Sequence, residues 1–554
     1  MNSFISILIT VLLFQNCLSK YNIIISNYQL CAKIGRNIIK YDNGNGFDAA
    51  IGVMLCEGVA KPQDMGIGGG FFGIIEQSKK DPFIINSRER CPKNINTDAF
   101  KHSDSNKIFG KTIGVPSAMR GYQYLHDKYG KTTWYNIVKR IKDMCINGFP
   151  VVIGEVLNKK QYQYLEESHR NIFINKETEQ PYIDGETWKR PDLANTMDKL
   201  MKFGPGYFNT TTVRNEILKE INEYGGNITN LDFNISPEIL RPRIEYFTFG
   251  IRKYKIATTP LPGGGPSLIF ILRIMEAYFK LYPQHYLHER YYVLIEAMKF
   301  AFSFRTEFGD PNFSKMGPIL NKMKSAVLIK SILSKILKNE ATHNDSTYYL
   351  QRNGLHVDHG TANIVVKTPK ELLVLTSTIN LRFGSWVVSK YGFIYNNQMS
   401  DFSIPSRMDA GHLPPSPNNF PQFGKYPISS ISTSIVYQYN TTTHRYERFV
   451  ALGAAGGPKI ITAISQVLIN MFFDHEDIIT SISKPRFHHQ LEPRTLEVEK
   501  DFYQEFRDRL IYNYHYEITY PFMRGDYSAV TGIQLKGGLK GTFDPRRPGS
   551  VEIF

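Results

Sequence analysis

The sequence predicts an α+β fold, on three observations. Runs of β-branched and apolar residues come in neighbouring pairs: ANIVV with LLVLTST at 362–366 and 372–378, FFGIIE with FIINSRE at 71–76 and 83–89, and ISTSIVYQY with RFVALGAA at 431–439 and 448–455. Longer apolar segments with helical spacing stand between and after them, as at 267–281, at 291–304 and beyond Pro458. The chain has 554 residues, 42% of them hydrophobic, which is ample for a large core.

In chain order, the first stretch is MNSFISILITVLLFQNCLSK. Phe4 to Phe14 is apolar apart from Ser6 and Thr10, and Cys17 and Ser19 sit at −3 and −1 of a cut before Lys20. Residues 1–19 therefore read as a secretory signal. The apolar run is shorter than the ~20 residues that span a bilayer, so a secreted, extracellular protein without a membrane anchor is expected. The formal net charge is +15, but the basic residues are scattered, and no nucleic-acid partner is expected. Without Cys17, four cysteines remain: Cys31, Cys56, Cys91 and Cys145. They allow three pairings, which spacing leaves open, and one or two bridges fit an oxidising compartment. Zinc-type spacing is missing, so no metal and no cofactor is expected. Asn209, Asn227, Asn234, Asn312, Asn344 and Asn440 open glycosylation sequons.

Residues 28–42 predict a helix, and Asn43-Gly44-Asn45-Gly46 punctuates the start of a second, Phe47 to Val59. The glycine cluster at 66–70 lacks the GK[ST] of a phosphate loop. It precedes strands, so it reads as close backbone approach near a strand. Arg88 ends the second strand, either as a surface charge or as a clamp on a carboxylate. Segments 115–150 and 155–225 alternate helical patterns with polar loops. Residues 313–356 are lysine-rich and weakly patterned, end in a helix and a loop, and read as exposed and tolerant of a chain break just before Thr361.

Put Pro369-Lys370 at the tip of a two-residue hairpin, and Thr361 faces Thr378 across the ladder. That is either an ordinary cross-strand pair or a nucleophile with a partner. Gly456-Gly457-Pro458 precedes a helix whose Ile460, Ile464, Leu468, Met471 and Phe472 share one face. The motif is either a tight turn or a pair of N–H donors at the positive end of a helix, fit to hold an oxyanion.

Together, CAKIGRNIIKYDNGNGFDAA, MGIGGGFF, NSRE, FGDPNF, DHGTA, TSTINLRFGS, NNQMSDF, YPISSISTSIV, GAAGG and PRFHHQLEP resemble the γ-glutamyltransferase (glutathione hydrolase) family of N-terminal-nucleophile hydrolases. The resemblance covers nearly all of the chain after the signal. It weakens in 150–260, 313–355 and about the last 50 residues. It implies a four-layer αββα sandwich and a precursor cut into a large subunit, 20–360, and a small subunit, 361–554. It implies Thr361 as nucleophile, Thr378 as its orienting partner, and Gly456 and Gly457 as oxyanion donors. Arg88, Ser429 and Ser430 would bind the glutamyl α-carboxylate, and Asn380, Gln398 and Asp401 the α-ammonium. Glutathione and other γ-glutamyl compounds would be donors, with water, amino acids or dipeptides as acceptors. Cys31–Cys56 is the implied disulfide.

There are departures. Gln398 stands where Glu is common, Ser400 where an acidic residue is common, and Asn363 where His is common; the C-terminal tail lacks the usual pattern. Gln398 motivates a second hypothesis, a secreted relative with little turnover that acts as a γ-glutamyl binding or decoy protein.

Overall fold

The structure is a computed structural model, and it describes residues 21–95, 110–152, 172–234, 236–339, 341–343, 345–354, 360–405, 413–502, 504–520 and 527–554. The expected signal segment 1–19 and Asn344 lie outside the described residues.

Two antiparallel sheets are stacked face to face. The first takes strands β1 (Ile23–Ser26), β2 (Gly70–Gln77), β3 (Phe83–Ser87) and β4 (Glu238–Leu240) from the first part of the chain. The second takes β5 (Arg243–Phe249) and β6 (Arg252–Thr258). Beyond position 360 come β7 (Ala362–Lys367), β8 (Glu371–Thr378), β9 (Ser434–Asn440), β10 (Arg445–Ala455), β11 (Ala529–Gln534), β12 (Lys540–Thr542) and β13 (Ser550–Ile553). The order in the first sheet is β13-β1-β7-β8-β2-β3-β4, and in the second β12-β11-β10-β9-β6-β5.

Helices cover both outer faces. α1 (Gln29–Tyr41) and α2 (Gly46–Ala60) lie on the first sheet, with α3 (Ala118–Tyr129) and α4 (Trp134–Asn147) beside them. α5 (Gly265–Leu281) and α7 (Lys459–Phe472) lie on the second, and α6 (Leu287–Arg305) packs on α5. Three apolar clusters follow from this layering. One lies between the first sheet and its helices, and includes Ile24, Ile75 and Leu375. One lies between the second sheet and its helices, and includes Ile256, Leu268 and Ile464. The third, with Phe72, Val365, Val374, Ala257, Ile435 and Ala451, fills the space between the sheets. Alternate residues of the central strands enter opposite clusters, as the period of a strand requires. The expected αββα sandwich is observed.

Local chemistry explains the starts of elements near the site. Asn45 Oδ1 accepts from the Phe47 and Asp48 N–H groups, while Asp48 accepts from Asn45 N, a closed capping box at the start of α2. The β7–β8 hairpin has the expected register, with Ala362 opposite Ser377 and Lys367 opposite Leu372. Thr368 N donates to Glu371 O at 2.8 Å, so Pro369 and Lys370 form the tip.

Some expectations need correction. Segment 313–356 is not simply exposed: it holds helices Gly317–Lys324 and Ala326–Asn339, and Ile329, Ile332, Leu333 and Ile336 are buried in the core beside α5. Their spacing is i, i+3, i+4, i+7, a helical stripe that the interleaved lysines obscure in composition. Cys31–Cys56 forms and joins α1 to α2. Cys91 and Cys145 are buried and unbridged, and burial pushes each thiol up to about 12. Among the described residues, no helix is long and apolar enough to cross a membrane. Asn227, Asn234 and Asn312 are exposed; Asn209 and Asn440 are half-buried, with amides donating to Gln123 and Glu447.

Candidate active site

The site forms where the start of β7 and the end of β8 meet the loops after β3 and before β9. A small cavity there is lined by Arg88, Gly360, Thr361, Thr378, Asn380, Gln398, Ser429, Ile431 and Ile460. Six of the residues expected from sequence therefore share one wall system, although they come from five separate stretches of chain. Ile460 belongs to the first turn of α7, while Gly456 and Gly457, which precede that helix, are not among the residues lining the cavity. Asp401 and Ser430 stand behind the wall.

At the centre is the Gly360–Thr361 peptide. Thr361 Oγ1 donates to Gly360 O at 2.6 Å, and Thr378 Oγ1 donates to the same oxygen at 2.5 Å. In the continuous chain Thr378 thus holds the carbonyl that precedes Thr361, and not the Thr361 hydroxyl. Asn380 N donates to Thr378 Oγ1 at 2.7 Å, which aims that hydroxyl. Gly360 has φ +87°, and a Cβ there would stand 2.3 Å from Asn380 O, so only glycine lets the chain pass at this distance. Asn380 itself has φ +75°, a conformation Asn tolerates better than most residues.

Arg88 is 1% exposed, which removes the surface-charge reading. Its Nη2 lies 3.5 Å from Asp401 Oδ2 and its Nε 3.9 Å from Glu89 Oε2. Gln398 Nε2 also donates to Asp401 Oδ2. A carboxylate only accepts, so Gln398 must turn its nitrogen to Asp401 and its oxygen away. Asn380 Nδ2 donates to Asn397 O at 3.1 Å, which orients that amide in the same sense. The Gln398 and Asn380 side-chain oxygens are both buried and have no hydrogen-bond partner among the described residues. Two unpaired acceptors at one cavity suit a ligand with several N–H donors.

Gly456 has φ +121° and Gly457 φ +59°, and a Cβ on Gly456 would stand 2.9 Å from Ser528 Cα. The tight turn and the α7 N-terminus are thus one feature, and glycine is required at its first position. Asn363, which replaces the common His, accepts from Thr376 Oγ1 at 2.6 Å and fills the space left by the absent side chain of Gly453, so it ties β7 to β10. Glu89 is fully buried and neither carboxyl oxygen accepts a hydrogen bond among the described residues. Burial pushes its carboxyl up to about 7, against the opposing pull of Arg88.

Sequence reasoning did not single out two arginines. Arg305, at the end of α6, donates from Nη2 to Ser430 Oγ at 3.0 Å. Arg547, near the C-terminus, donates from Nη1 to Thr361 O at 3.2 Å and from Nη2 to Tyr527 O at 3.3 Å. Neither lies in a stretch whose pattern signals a site. Among the described residues, no cluster of His, Cys, Asp and Glu is arranged to hold a metal ion.

A family model described as gamma-glutamyltranspeptidase matches residues 31–554. Glutathione hydrolase 3 of Arabidopsis thaliana is 30% identical over 491 residues, covering 87% of this chain and 75% of that protein. Scoloptoxin SSD14 of Scolopendra dehaani is 30% identical over 540 residues, covering 94% of this chain and 90% of that protein. The solved structure of cephalosporin acylase from Bacillus halodurans superposes over 96% of each chain with a TM-score of 0.78 at 19% identity, a likeness of fold.

Proposed function

The chain belongs to the gamma-glutamyltranspeptidase family, and on that premise we propose that it is a secreted, self-processing γ-glutamyl transferase and hydrolase acting on glutathione and related γ-glutamyl amides. The observation that carries the proposal is the single cavity shared by Arg88, Thr361, Thr378, Asn380, Gln398 and Ser429.

Processing begins at the Gly360–Thr361 peptide. The Thr361 hydroxyl oxygen adds to the Gly360 carbonyl carbon, and negative charge develops on Gly360 O, where the Thr378 hydroxyl already donates. The C–N bond then breaks, the Thr361 nitrogen takes a proton, and water hydrolyses the resulting ester. The large subunit keeps a Gly360 carboxylate, and Thr361 keeps a free α-amine. Unperturbed, such an amine titrates at about 7.7–8.0, so a neutral fraction is present near neutral pH to accept the hydroxyl proton.

In turnover, Thr361 attacks the γ-glutamyl amide carbon, its hydroxyl proton passes to its α-amine, and Gly456 and Gly457 N–H groups hold the oxyanion; the amide C–N bond then breaks, and the leaving amine takes that proton. The acyl-enzyme passes its glutamyl group to water, an amino acid or a dipeptide. Recognition of the glutamyl α-carbon follows from charge exchange. Behind the cavity wall, Asp401 compensates Arg88 at 3.5 Å. A zwitterion supplies a carboxylate to Arg88, Ser429 and Ser430, and an ammonium to Asp401 and the acceptor oxygens of Gln398 and Asn380, so neither buried charge is left unpaired.

The test is expression of the full chain, a denaturing gel, and N-terminal sequencing of the smaller fragment, which should begin Thr361-Ala362-Asn363. Release of the aniline from a γ-glutamyl anilide should accompany it. A Thr361→Ala chain that is still cut and still turns over would refute the nucleophile. A cut protein that binds γ-glutamyl compounds without releasing aniline would support the decoy reading.

A further inference from the structure

We propose that Arg547 is a positioning residue: its guanidinium links the carbonyl of Thr361 to the segment that backs the Gly456 turn, and so sets the nucleophile against the oxyanion donors. The inference rests on the reading of Thr361 as nucleophile.

The contacts form a chain from one to the other. Arg547 Nη1 donates to Thr361 O and its Nη2 to Tyr527 O. Tyr527 precedes Ser528, whose Cα would stand 2.9 Å from a Cβ on Gly456. Ser528 is fixed in turn: Arg486 donates from Nη2 to its carbonyl at 2.7 Å and from Nε to its hydroxyl at 3.2 Å. The same Arg486 pairs with the buried Asp544 at 2.6 Å. Asp544 accepts from Val530 N at 2.8 Å, its carbonyl accepts from Arg547 N at 3.2 Å, and Arg546 beside it makes a two-point ion pair with Glu499. The tail that carries Arg547 is therefore held on both sides of that residue's approach to Thr361.

The need for such a hold arises from the cut. Within the continuous chain Thr361 is restrained through its nitrogen and its carbonyl. After cleavage the restraint through nitrogen is gone, and the residue begins a strand as a free end. A planar guanidinium bonded to two carbonyls keeps the Thr361 carbonyl in place without contributing a group to the reacting atoms. Lysine presents its three donors from a single atom, without the fixed spacing by which the guanidinium reaches two separate carbonyls.

The experiment compares wild type, Arg547→Ala and Arg547→Lys in γ-glutamyl anilide turnover, with self-cleavage rate and thermal midpoint measured on the same preparations. For Arg547→Ala, kcat is expected to fall ~10- to 100-fold with KM within about twofold of wild type, the pattern of a misplaced nucleophile with intact binding. Cleavage of the precursor should slow in parallel, with the thermal midpoint unchanged, and Arg547→Lys should recover part of both rates. Should Arg547→Ala remain uncut, the cleavage rates of the Ala and Lys precursors carry the comparison. Wild-type kcat and cleavage in Arg547→Ala overturn the inference. So does a lysine variant no better than alanine, or a rate loss matched by a fall in thermal midpoint. Failure of the Thr361 assignment is separable, since it shows as retained turnover in Thr361→Ala.

Discussion

At position 398 a glutamine turns its nitrogen to Asp401 and leaves its buried oxygen without a partner among the described residues. Hydrogen bonds to charged groups contribute more than neutral ones, and a second carboxylate near a bound ammonium adds charge to that bond. Gln398→Glu is therefore expected to lower KM about fivefold for γ-glutamyl donors while leaving kcat near wild type. An unchanged KM would remove position 398 from ammonium binding. The neighbouring Glu89 makes a different prediction. Its folded carboxyl titrates at about 7, raised by burial from an ordinary 4.5. The folded state then holds a proton that the unfolded chain releases, so this group's contribution to stability is fully present below 4.5 and is lost as pH rises toward 7. Denaturation midpoints of Glu89→Gln should be flatter with pH across that window than those of wild type; parallel profiles would show that Glu89 does not titrate there. Arg88 shows what residue-level reading could not supply. Its Asp401 partner lies 313 positions away, so nothing local marks it as buried.

The elements that build the site were more legible. The β7–β8 register follows from Pro at the hairpin tip and the apolar run on either side, both local features, so the ladder from Ala362–Ser377 to Lys367–Leu372 came out as expected, with Thr361 just before its first pair. The turn before α7 was also readable, because Gly-Gly-Pro between a strand and an apolar helix leaves few conformations. Its strictness was not: the approach of Ser528 to Gly456 is a tertiary fact. Gly456→Ala puts a Cβ against Ser528 at φ +121° and displaces a donor. Loss of an oxyanion donor typically lowers kcat by about 10²–10³, and that fall is expected here with KM little changed. A variant with wild-type kcat would move the oxyanion site elsewhere. The burial of the helix Ala326–Asn339 was not legible in composition, because its lysines lowered the apparent patterning of a four-residue apolar stripe.

On the scale of the molecule, the two parts of the chain are interleaved. β1, from before position 360, pairs with β7 and β13 from after it. β8 pairs with β2, and β9 pairs with β6. If the chain is cut at Gly360–Thr361, both sheets still contain strands from each fragment, and the apolar cluster between the sheets includes Phe72 and Ala257 from one and Val365 and Ile435 from the other. The fragments are expected to co-elute in size-exclusion chromatography and to part only in denaturant. Separate elution under native conditions would contradict the proposed cut site or the retention of this fold after it.

By itself, the sequence determined the local elements: strand pairs, the hairpin register, the capped helices, the glycine turn and, through its resemblance to a family, a set of candidate residues. Those features depend on residues a few positions apart, where periodicity and turn chemistry leave strong marks. Only the tertiary structure decided which charges meet and where. It buried Arg88 against Asp401, turned Thr378 toward the Gly360 carbonyl, and brought Arg547 to Thr361 across 186 positions. Such contacts are set by the stacking of two sheets, and a side chain's partner across that stack has no signature in its own stretch of sequence.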